Sequence, residues 1–431
     1  MDTITLYKTN KFKGNIEPPP DKSISHRAIF FSSIANGKSV IHNFLNAADP
    51  ISTINAFRML GVDIKQDGNI VTVTGNGLRS LREPNNVIDC GNSGTTIRLI
   101  SGLLSACTFH SVLTGDDSLR GRPMSRVITP LKMMDAKIDA RASGKYPPIS
   151  ITGGKLSPIK YKMPIASAQV KTSIILAALL TEGTTEIEQP IMSRDHTERM
   201  LKVYGADLKV DDLKISVTGG KELNATEVFV PGDISSAAFF IAASQIIKGS
   251  SIKINNCGLN PTRIGLLEIL DKNKMGGEVI NYKEKITPEL IGSIECKYPK
   301  NGLKAVNISE DDIPFLIDEF PIIAVLATQA EGETIITGAR ELRVKESDRI
   351  SAMAVELTKM GADIEELPDG MIIRGKTNLK GARVNSHNDH RIAMALSIAA
   401  LIADGDTIIE GKSAVDISFP EFYPTLERLI K

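Results

Sequence analysis

The stretch Leu60-Gly-Val-Asp-Ile-Lys-Gln-Asp-Gly-Asn-Ile-Val-Thr-Val-Thr74 contains a helix end followed by the pattern of two strands. Gly61 is where an amphipathic helix is predicted to end, since glycine readily adopts the left-handed conformation of a helix terminus. Asp67-Gly68 lies between segments in which apolar and polar residues alternate, which predicts a tight turn joining antiparallel strands. The stretch therefore predicts a helix that runs into a β-hairpin.

This pattern recurs along the chain as a weak internal repeat. Its second half, an apolar residue followed by Gly, a small residue and an acid, returns at Tyr204, Met275 and Met360, with a poorer copy at Met134. Its first half, Gly-x-Ser/Thr-x-Ile, returns at Gly37, Gly183, Gly249, Gly332 and Gly405. The copies recur about every 70 to 85 residues, which indicates about six units. Each unit is predicted to hold an Ala-rich helix, a short strand, an amphipathic helix and a hairpin, so the fold class is α+β.

The length of 431 residues exceeds what one hydrophobic core usually holds, so at least two domains are expected. Pro231-Gly232, directly after a predicted strand at residues 227–230, is the best break in the middle of the chain. The stiff run Pro18-Pro-Pro20 is the second candidate. We predict one domain built from both chain ends, residues 1–20 and 231–431, and an inserted domain of residues 21–230, with hinges at these two points.

The charge balance excludes some classes of function. Lys plus Arg and Asp plus Glu both number 51, so the chain lacks the basic excess typical of proteins that bind nucleic acids or anionic membranes. Aromatic residues make up only 5% and Trp is absent, which disfavours stacking on bases. We therefore expect neither nucleic acid nor membrane as a partner.

The four cysteines are far apart in the sequence and form no CxxC pair. They are interpreted as reduced thiols, not as a disulfide framework or a zinc site. The first residues lack the apolar segment of a signal peptide, and the longest apolar run, residues 392–403, is too short to span a bilayer. A cytoplasmic location is expected.

Charged residues gather at one predicted helix start, in Pro18-Pro-Pro-Asp-Lys-Ser-Ile-Ser-His-Arg27. The prolines keep the chain extended until Asp21 or Ser23 can cap a helix. Lys22 and Arg27 then lie near exposed main-chain N–H groups and the positive end of the helix dipole, which favours a phosphate or carboxylate ligand. The alternative is an ordinary capped surface helix with solvated cations.

Similar polar clusters precede other apolar helices, at residues 91–98, 118–124, 167–171, 318–321, 340–349 and 388–391. Each cluster has an ordinary explanation as a Gly-rich turn, a helix cap or a solvated charge run. Their recurrence at the starts of central helices is harder to explain in this way. Helix starts that converge would form a cationic cleft suited to a substrate with several negative charges.

The clusters together resemble one family of enzymes, the 5-enolpyruvylshikimate-3-phosphate synthases. The resemblance rests on Asp21-Lys-Ser-Ile-Ser-His-Arg27, Gly91-Asn-Ser-Gly-Thr95, Leu119-Arg-Gly-Arg-Pro-Met124, Arg343-Val-Lys-Glu-Ser-Asp-Arg349 and Asn388-Asp-His-Arg391. It covers essentially the whole chain in order. It implies an inside-out α/β barrel architecture of two domains, each with three βαβαββ units, and an active site in the cleft between them.

The resemblance also implies an activity. The enolpyruvyl group of phosphoenolpyruvate would be transferred to the 5-hydroxyl of shikimate 3-phosphate, with release of phosphate, by a monomer without a metal or organic cofactor. One alternative is the sister enzyme acting on UDP-N-acetylglucosamine, which typically has Lys-Asn at Lys22-Ser23 and a Cys in the loop that contains Arg120. The other is a non-catalytic protein of the same fold that binds phosphorylated ligands.

Roles for individual residues follow only from the resemblance. It implies proton transfer by Asp318, the base near the 5-hydroxyl, and by Glu346, the acid toward the methylene carbon, with Lys22 contacting both substrates. The implied contacts to shikimate 3-phosphate are Ser23, Arg27, Ser167, Ala168, Gln169, Ser193 and Lys345, with Arg194 a further candidate. Gln169 is implied to lie near phosphoenolpyruvate as well. The implied contacts to phosphoenolpyruvate are Gly94, Arg122, Arg349 and Arg391, and Asn92 is implied to bind substrate as well.

The chain departs from the family pattern at three points. Pro20 replaces a usual Gly, Glu341 stands where some members have Asn, and Ile417 stands where some have Lys. The last two changes remove substrate contacts found in those members. The resemblance assigns no ligand to Arg120 or His390.

Overall fold

A computed structural model describes residues 2–286 and 288–431 of the chain. The chain forms two compact units: the terminal unit, Met1–Pro19 with Pro231–Lys431, and the inserted unit, Pro20–Val230. The sequence-based boundary puts Pro20 with the chain ends, whereas the structure groups it with the helix start that directly follows it. Each unit has its own hydrophobic core.

Strands and helices alternate in the first half of the chain. Up to residue 230 the elements are β1 (Thr3–Leu6), β2 (Lys13–Ile16), α1 (Lys22–Ile34), β3 (Ala35–His42), α2 (Ala48–Met59), β4 (Asp63–Asp67), β5 (Ile70–Asn76), β6 (Ile88–Asp89), α3 (Gly94–Ser105), β7 (His110–Thr114), α4 (Asp117–Arg120), α5 (Ser125–Met133), β8 (Lys137–Ala140), α6 (Arg141–Gly144), β9 (Tyr146–Thr152), β10 (Lys160–Lys162), α7 (Ala168–Leu179), β11 (Thr184–Glu188), α8 (His196–Val203), β12 (Asp207–Asp211), β13 (Lys214–Thr218), β14 (Leu223–Asn224) and β15 (Glu227–Phe229).

The second half continues in the same manner. Its elements are α9 (Ile234–Ile246), β16 (Ser251–Gly258), α10 (Gly265–Ile269), β17 (Glu278–Ile286), β18 (Leu290–Lys297), β19 (Leu303–Lys304), β20 (Asn307–Ile308), α11 (Ile313–Leu316), α12 (Phe320–Gln329), β21 (Ala330–Ile336), α13 (Arg349–Lys359), β22 (Asp363–Leu367), β23 (Gly370–Gly375), β24 (Arg383–Asn385), α14 (His390–Ala400), β25 (Thr407–Glu410) and α15 (Phe422–Ile430), with 3-10 turns at Arg340–Val344 and Lys412–Ile417.

One sheet pattern is repeated through both units. The strand orders are β14-β3-β5-β4, β6-β7-β9-β8 and β10-β11-β13-β12 in the inserted unit, and β2-β16-β18-β17, β19-β21-β23-β22 and β24-β25-β1 in the terminal unit. In each of these orders the first pair is parallel and the following pairs are antiparallel. Five of these sheets, with their helices, each form a βαβαββ unit. The sixth sheet has three strands, and its third strand is β1 from the start of the chain. The predicted α+β fold class is confirmed.

The stretch from Leu60 to Thr74 shows why the repeat folds in this way. Gly61, just after α2, has a φ of +86°, and Gly68 in the hairpin has a φ of +57°. Residues with a side chain rarely adopt such angles, so glycine is favoured at both points. β4 lies between these two glycines and pairs with β5, which follows Gly68, in antiparallel register with Asp63 opposite Thr74.

The first long helix of each repeat is buried. In the inserted unit α3 packs so closely on α7 that a Cβ atom on Gly102 would lie 2.0 Å from the main-chain oxygen of Ser173. In the terminal unit α9, α12 and α14 pack against one another. Because the sides of these helices are buried, their starts are the places where polar ligand groups can gather.

Several helices begin earlier than the apolar periodicity predicts. The apolar runs begin at residues 97 and 174, whereas the helices begin at Gly94 and Ala168, because Ser93 and Ser167 each accept a main-chain N–H as N-caps. Arg120, expected in a loop, lies in the short helix α4. The caps bring polar residues into the first helical turns. Among the described residues, no helix is long and apolar enough to span a bilayer.

Candidate active site

The start of α1 in the inserted unit carries Lys22, Ser23 and Arg27. Asp21 caps this helix by accepting a main-chain N–H of its first turn at 2.9 Å. Lys22 Nζ lies 3.1 Å from Oδ2 of Asp49, and both side chains are largely buried. The α1 start is therefore an ordered cationic site, not a solvated helix end.

The guanidinium of Arg27 is held by the starts of α7 and α8. Its Nε donates to Thr197 Oγ1 at 2.8 Å, and one terminal nitrogen donates to Thr172 Oγ1 at 3.2 Å. The two threonine hydroxyls are themselves 2.6 Å apart. The other terminal nitrogen donates to the main-chain oxygen of Ser23 at 3.0 Å. These bonds fix the orientation of Arg27.

A buried hydrogen-bonded chain joins the starts of α1 and α3. His26 Nδ1 lies 2.6 Å from Thr53 Oγ1, which lies 2.7 Å from Thr96 Oγ1. Thr96 in turn donates to Ser93 Oγ at 2.8 Å. Burial, reinforced by the neighbouring cations, holds the pKa of His26 well below its usual value. His26 is therefore neutral near pH 7 and serves as a hydrogen-bonding link.

The start of α3 brings Gly94, Arg98 and Arg122 together. Gln169 Oε1 accepts from Arg98 at 2.7 Å, and its amide nitrogen donates to Thr95 Oγ1 at 3.1 Å. A Cβ atom on Gly94 would lie 3.0 Å from a terminal nitrogen of Arg98 and 3.3 Å from one of Arg122. Gly94 thus leaves room beside two guanidinium groups.

Asn92 orients Arg122. The arginine donates to Asn92 Oδ1 at 2.5 Å, and the asparagine amide donates to Asp116 Oδ2 at 2.7 Å. Arg120 instead donates to the main-chain oxygen of Gly115 at 2.5 Å. Arg122 therefore belongs to the cluster at α3, while Arg120 makes local contacts in its own turn.

Ser167 and Ala168 lie at the start of α7. Ser193 lies in the loop before α8. Ser167 caps α7, and Ala168 is its first residue. Both the N–H and the hydroxyl of Ser193 donate to Gln189 Oε1, at 3.2 and 2.5 Å. Lys171 Nζ donates to the main-chain oxygen of Ser193 at 3.3 Å. Hydrogen bonds thus link the helix starts that carry predicted ligand residues of the inserted unit.

In the terminal unit a cluster of acids surrounds Arg349, whose side chain is only 1% exposed. Its Nε donates to Asp389 Oδ2 at 2.8 Å, and one terminal nitrogen donates to Glu346 Oε2 at 2.7 Å. The other lies 3.4 Å from Asp318 Oδ1. Burial opposes ionisation of Asp389, but Arg349 outweighs it, so the pKa of Asp389 is lowered. Arg349 thus connects the two predicted proton-transfer residues, Asp318 and Glu346.

Arg391 approaches Asp318 from the start of α14. One terminal nitrogen donates to the main-chain oxygen of Asp318 at 3.0 Å, and the other lies 3.4 Å from its Oδ2. Asp389 caps α14 by accepting the N–H of Arg391 at 2.9 Å. His390, which lies between them, is buried. The Asp318 carboxylate therefore lies between two arginines.

Lys345 is a half-buried lysine beside these acids. Burial lowers its pKa to about 8, although Asp318, Glu341 and Glu346 partly offset the shift. A lysine with this pKa changes its charge close to neutral pH, so its contribution to anion binding should depend on pH.

Some residues of the site were not predicted from the sequence. Asp49 and Asp389 bind predicted cations, and Glu319, next to Asp318 in the sequence, accepts a hydrogen bond from Ser235. Burial raises the pKa of Glu319. The Asp318-Glu319 pair and the Asn388-Asp-His-Arg391 run were visible signals, but nothing near Asp49 in the sequence marks it. Within residues 2–286 and 288–431, no group of His, Cys, Asp and Glu is arranged to hold a metal ion.

The sequence model of the family described as EPSP synthase (3-phosphoshikimate 1-carboxyvinyltransferase) matches residues 6–426. The chain belongs to the EPSP synthase family. Relatives named 3-phosphoshikimate 1-carboxyvinyltransferase include one from Bacillus licheniformis, 51% identical and covering 98% of both chains. Another, from Thermodesulfovibrio yellowstonii, is 53% identical and covers 99% of both chains.

A solved structure of EPSP synthase from Acinetobacter baumannii is similar over 100% of this chain and 98% of that chain, with a TM-score of 0.87 and 44% identity. These similarities confirm the family inferred from the sequence motifs. They also agree with the two-domain, repeated fold expected for an EPSP synthase.

Proposed function

We propose that the protein transfers the enolpyruvyl group of phosphoenolpyruvate to the 5-hydroxyl of shikimate 3-phosphate and releases inorganic phosphate. The observation that carries this proposal is the cluster on Arg349, which binds both Asp318 and Glu346. A reaction with two proton transfers needs two carboxylates in fixed positions, and a shared, buried guanidinium supplies this constraint.

In the proposed mechanism, Glu346 first donates a proton to the methylene carbon of phosphoenolpyruvate. This makes the adjacent carbon electrophilic, and the 5-hydroxyl oxygen bonds to it while Asp318 accepts the hydroxyl proton. Glu346, now ionised, then removes a proton from the new methyl group. The carbon–carbon double bond re-forms, the bond to the phosphate oxygen breaks, and inorganic phosphate leaves with the electron pair. The phosphate takes up one proton and Asp318 gives up the one that it accepted, so both carboxyl groups return to their starting states.

The cations of both units match the charges of the two substrates. Lys22 and Arg27 at the α1 start suit the shikimate phosphate, and Arg122 and Arg391 suit phosphoenolpyruvate. Fixed guanidinium groups can stabilise the negative charge that develops on the departing phosphate without reorganising during the reaction. In this proposal both units act on the same pair of substrates. Cytoplasmic location and a monomeric state stay predictions.

A phosphate-release assay with purified protein tests the proposal. Phosphoenolpyruvate with shikimate 3-phosphate should release phosphate and yield a product heavier by one enolpyruvyl group in mass spectrometry. UDP-N-acetylglucosamine in place of shikimate 3-phosphate should give no release. Release with the sugar nucleotide instead would assign the sister activity, and calorimetric binding of shikimate 3-phosphate without release would assign a non-catalytic binder.

A further inference from the structure

Lys171 and Glu198 form a buried ion pair that the proposed mechanism does not use. Their side chains are 0% and 5% exposed, and Lys171 Nζ lies 2.6 Å from Glu198 Oε1. Lysine and glutamate are rarely buried to this extent unless they are paired. Burial lowers the pKa of Lys171, and the adjacent Glu198 carboxylate partly offsets this effect. A buried ion pair often adds little to the free energy of unfolding, because removing two charges from water is costly. We therefore ask what function its position could serve.

The pair lies where two helix starts meet. Lys171 is in the first turn of α7, and Glu198 is in the first turn of α8. The next residue on α7, Thr172, and the preceding residue on α8, Thr197, form a second bridge at 2.6 Å. Two adjacent links therefore fix the α7 start against the α8 start.

Each link ends on a residue predicted to bind shikimate 3-phosphate. Lys171 Nζ donates to the main-chain oxygen of Ser193, while Gln189 holds the N–H and hydroxyl of the same serine. The threonine bridge accepts two hydrogen bonds from Arg27. The orientations of Ser193 and Arg27 thus depend on the same junction.

We infer that Lys171 and Glu198 are positioning residues for shikimate 3-phosphate, acting through the main chain of Ser193 and, with the neighbouring threonine bridge, through Arg27. This inference rests on the proposed function. In this inference the ion pair itself makes no contact with the substrate. It holds the loop before α8 and the α7 start in the geometry that a phosphate needs, so that binding does not have to order them.

The test must separate positioning from folding. Lys171→Met alone leaves a buried carboxylate without its cation and can prevent folding. The double variant Lys171→Met/Glu198→Met removes both charges at similar volume, so it should fold, but it lacks the donor to Ser193. Its KM for shikimate 3-phosphate should rise about 10- to 100-fold, while its KM for phosphoenolpyruvate should stay within about threefold of wild type.

Thr197→Val tests the second link without altering the ion pair. It keeps the side-chain shape but removes the acceptor for Arg27 Nε, so KM for shikimate 3-phosphate should again rise. The matched control is Lys160→Met/Glu186→Met, which removes an exposed Lys–Glu pair between β10 and β11 of the same unit, 3.1 Å apart. It should leave both KM values unchanged. Circular dichroism melting checks the folding of each variant.

A folded Lys171→Met/Glu198→Met variant with a wild-type KM for shikimate 3-phosphate would overturn the inference. If that variant does not fold, an unchanged KM in Thr197→Val would overturn it. In either case the wild-type assay reports separately on the proposed function. A wild-type protein that releases no phosphate from the two substrates would refute that function, whatever the variants do.

Discussion

At the level of single residues, Asp318→Asn and Glu346→Gln should each lower kcat about 100- to 10,000-fold, the range typical of groups that transfer protons. Both substitutions keep the size of the side chain but remove its ability to exchange a proton. Binding of shikimate 3-phosphate, measured by calorimetry, should change much less than turnover. Glu333→Gln, which alters an exposed carboxylate paired with Arg374, is the control and should keep wild-type kcat. Near wild-type turnover in either site variant would exclude that residue from proton transfer.

The pH dependence of the reaction should show the titration of Lys345. Its pKa is lowered to about 8, chiefly by burial, so it is cationic below this pH and neutral above it. An anionic substrate binds better to the cation, and kcat/KM for shikimate 3-phosphate should therefore fall as pH rises through about 8. In Lys345→Arg the side chain stays charged, and this alkaline limb should move to higher pH. An identical limb in the variant would assign the titration to another group.

The cationic residues of the site could be predicted from the sequence, because the signals that mark them are local. Lys22, Arg27, Lys345 and Arg391 lie beside helix starts, and caps and apolar runs mark such starts in the sequence. Their acidic partners escaped prediction because the contacts join distant parts of the chain. Asp49 binds a lysine 27 residues away, and Asp389 binds an arginine 40 residues away. Pairings of this kind depend on how the helices pack against one another, which no local pattern encodes.

Among the elements, the start of α3 offers a clear test. Ser93 Oγ accepts the main-chain N–H of Thr96 at 3.1 Å and also its hydroxyl at 2.8 Å, and the serine is fully buried. Ser93→Ala should therefore lower the free energy of unfolding by about 1 to 2 kcal/mol, the usual cost of losing an N-cap. Because Gly94 follows directly, the KM for phosphoenolpyruvate should rise as well.

Urea unfolding and steady-state kinetics measure these two effects. Ser52→Ala is the control, since its hydroxyl donates back to the main-chain oxygen of Ala48, one turn earlier in α2. It should change the free energy of unfolding by less than about 0.5 kcal/mol. Equal stability of the Ser93 and Ser52 variants would mean that the cap contributes nothing to α3.

The repeated elements were predictable because each ends on a strong local signal. Gly61 and the Asp67-Gly68 turn mark a helix end and a hairpin, and the same signals return in later repeats. The exact helix starts were less predictable, because a cap extends a helix beyond its apolar stripe, as at Ala168. The short parallel strands β6, β14 and β19, two residues each, carry too little pattern to be recognised.

At the level of the whole molecule, the two units differ in how the chain builds them. The inserted unit is continuous in sequence, and its core contains only its own residues. The terminal unit needs both chain ends, since β1 pairs with β25 and β2 pairs with β16. Residues 20–230 expressed alone should therefore fold cooperatively, whereas residues 231–431 alone would lack two strands and part of their core.

The isolated inserted unit should also bind shikimate 3-phosphate, because Lys22, Arg27 and Ser193 all belong to it. It lacks Asp318 and Lys345, whose charge-assisted contacts each contribute about 1.5 to 3 kcal/mol, so its affinity should be at least about tenfold weaker than that of the full chain. Circular dichroism melting tests the folding of both fragments, and calorimetry tests binding. The fragment carrying Arg27→Ala is the control and should not bind. If the wild-type fragment binds as tightly as the full chain, Asp318 and Lys345 do not contact this substrate. If the fragment melts cooperatively but does not bind, the inserted unit does not carry the binding site for shikimate 3-phosphate.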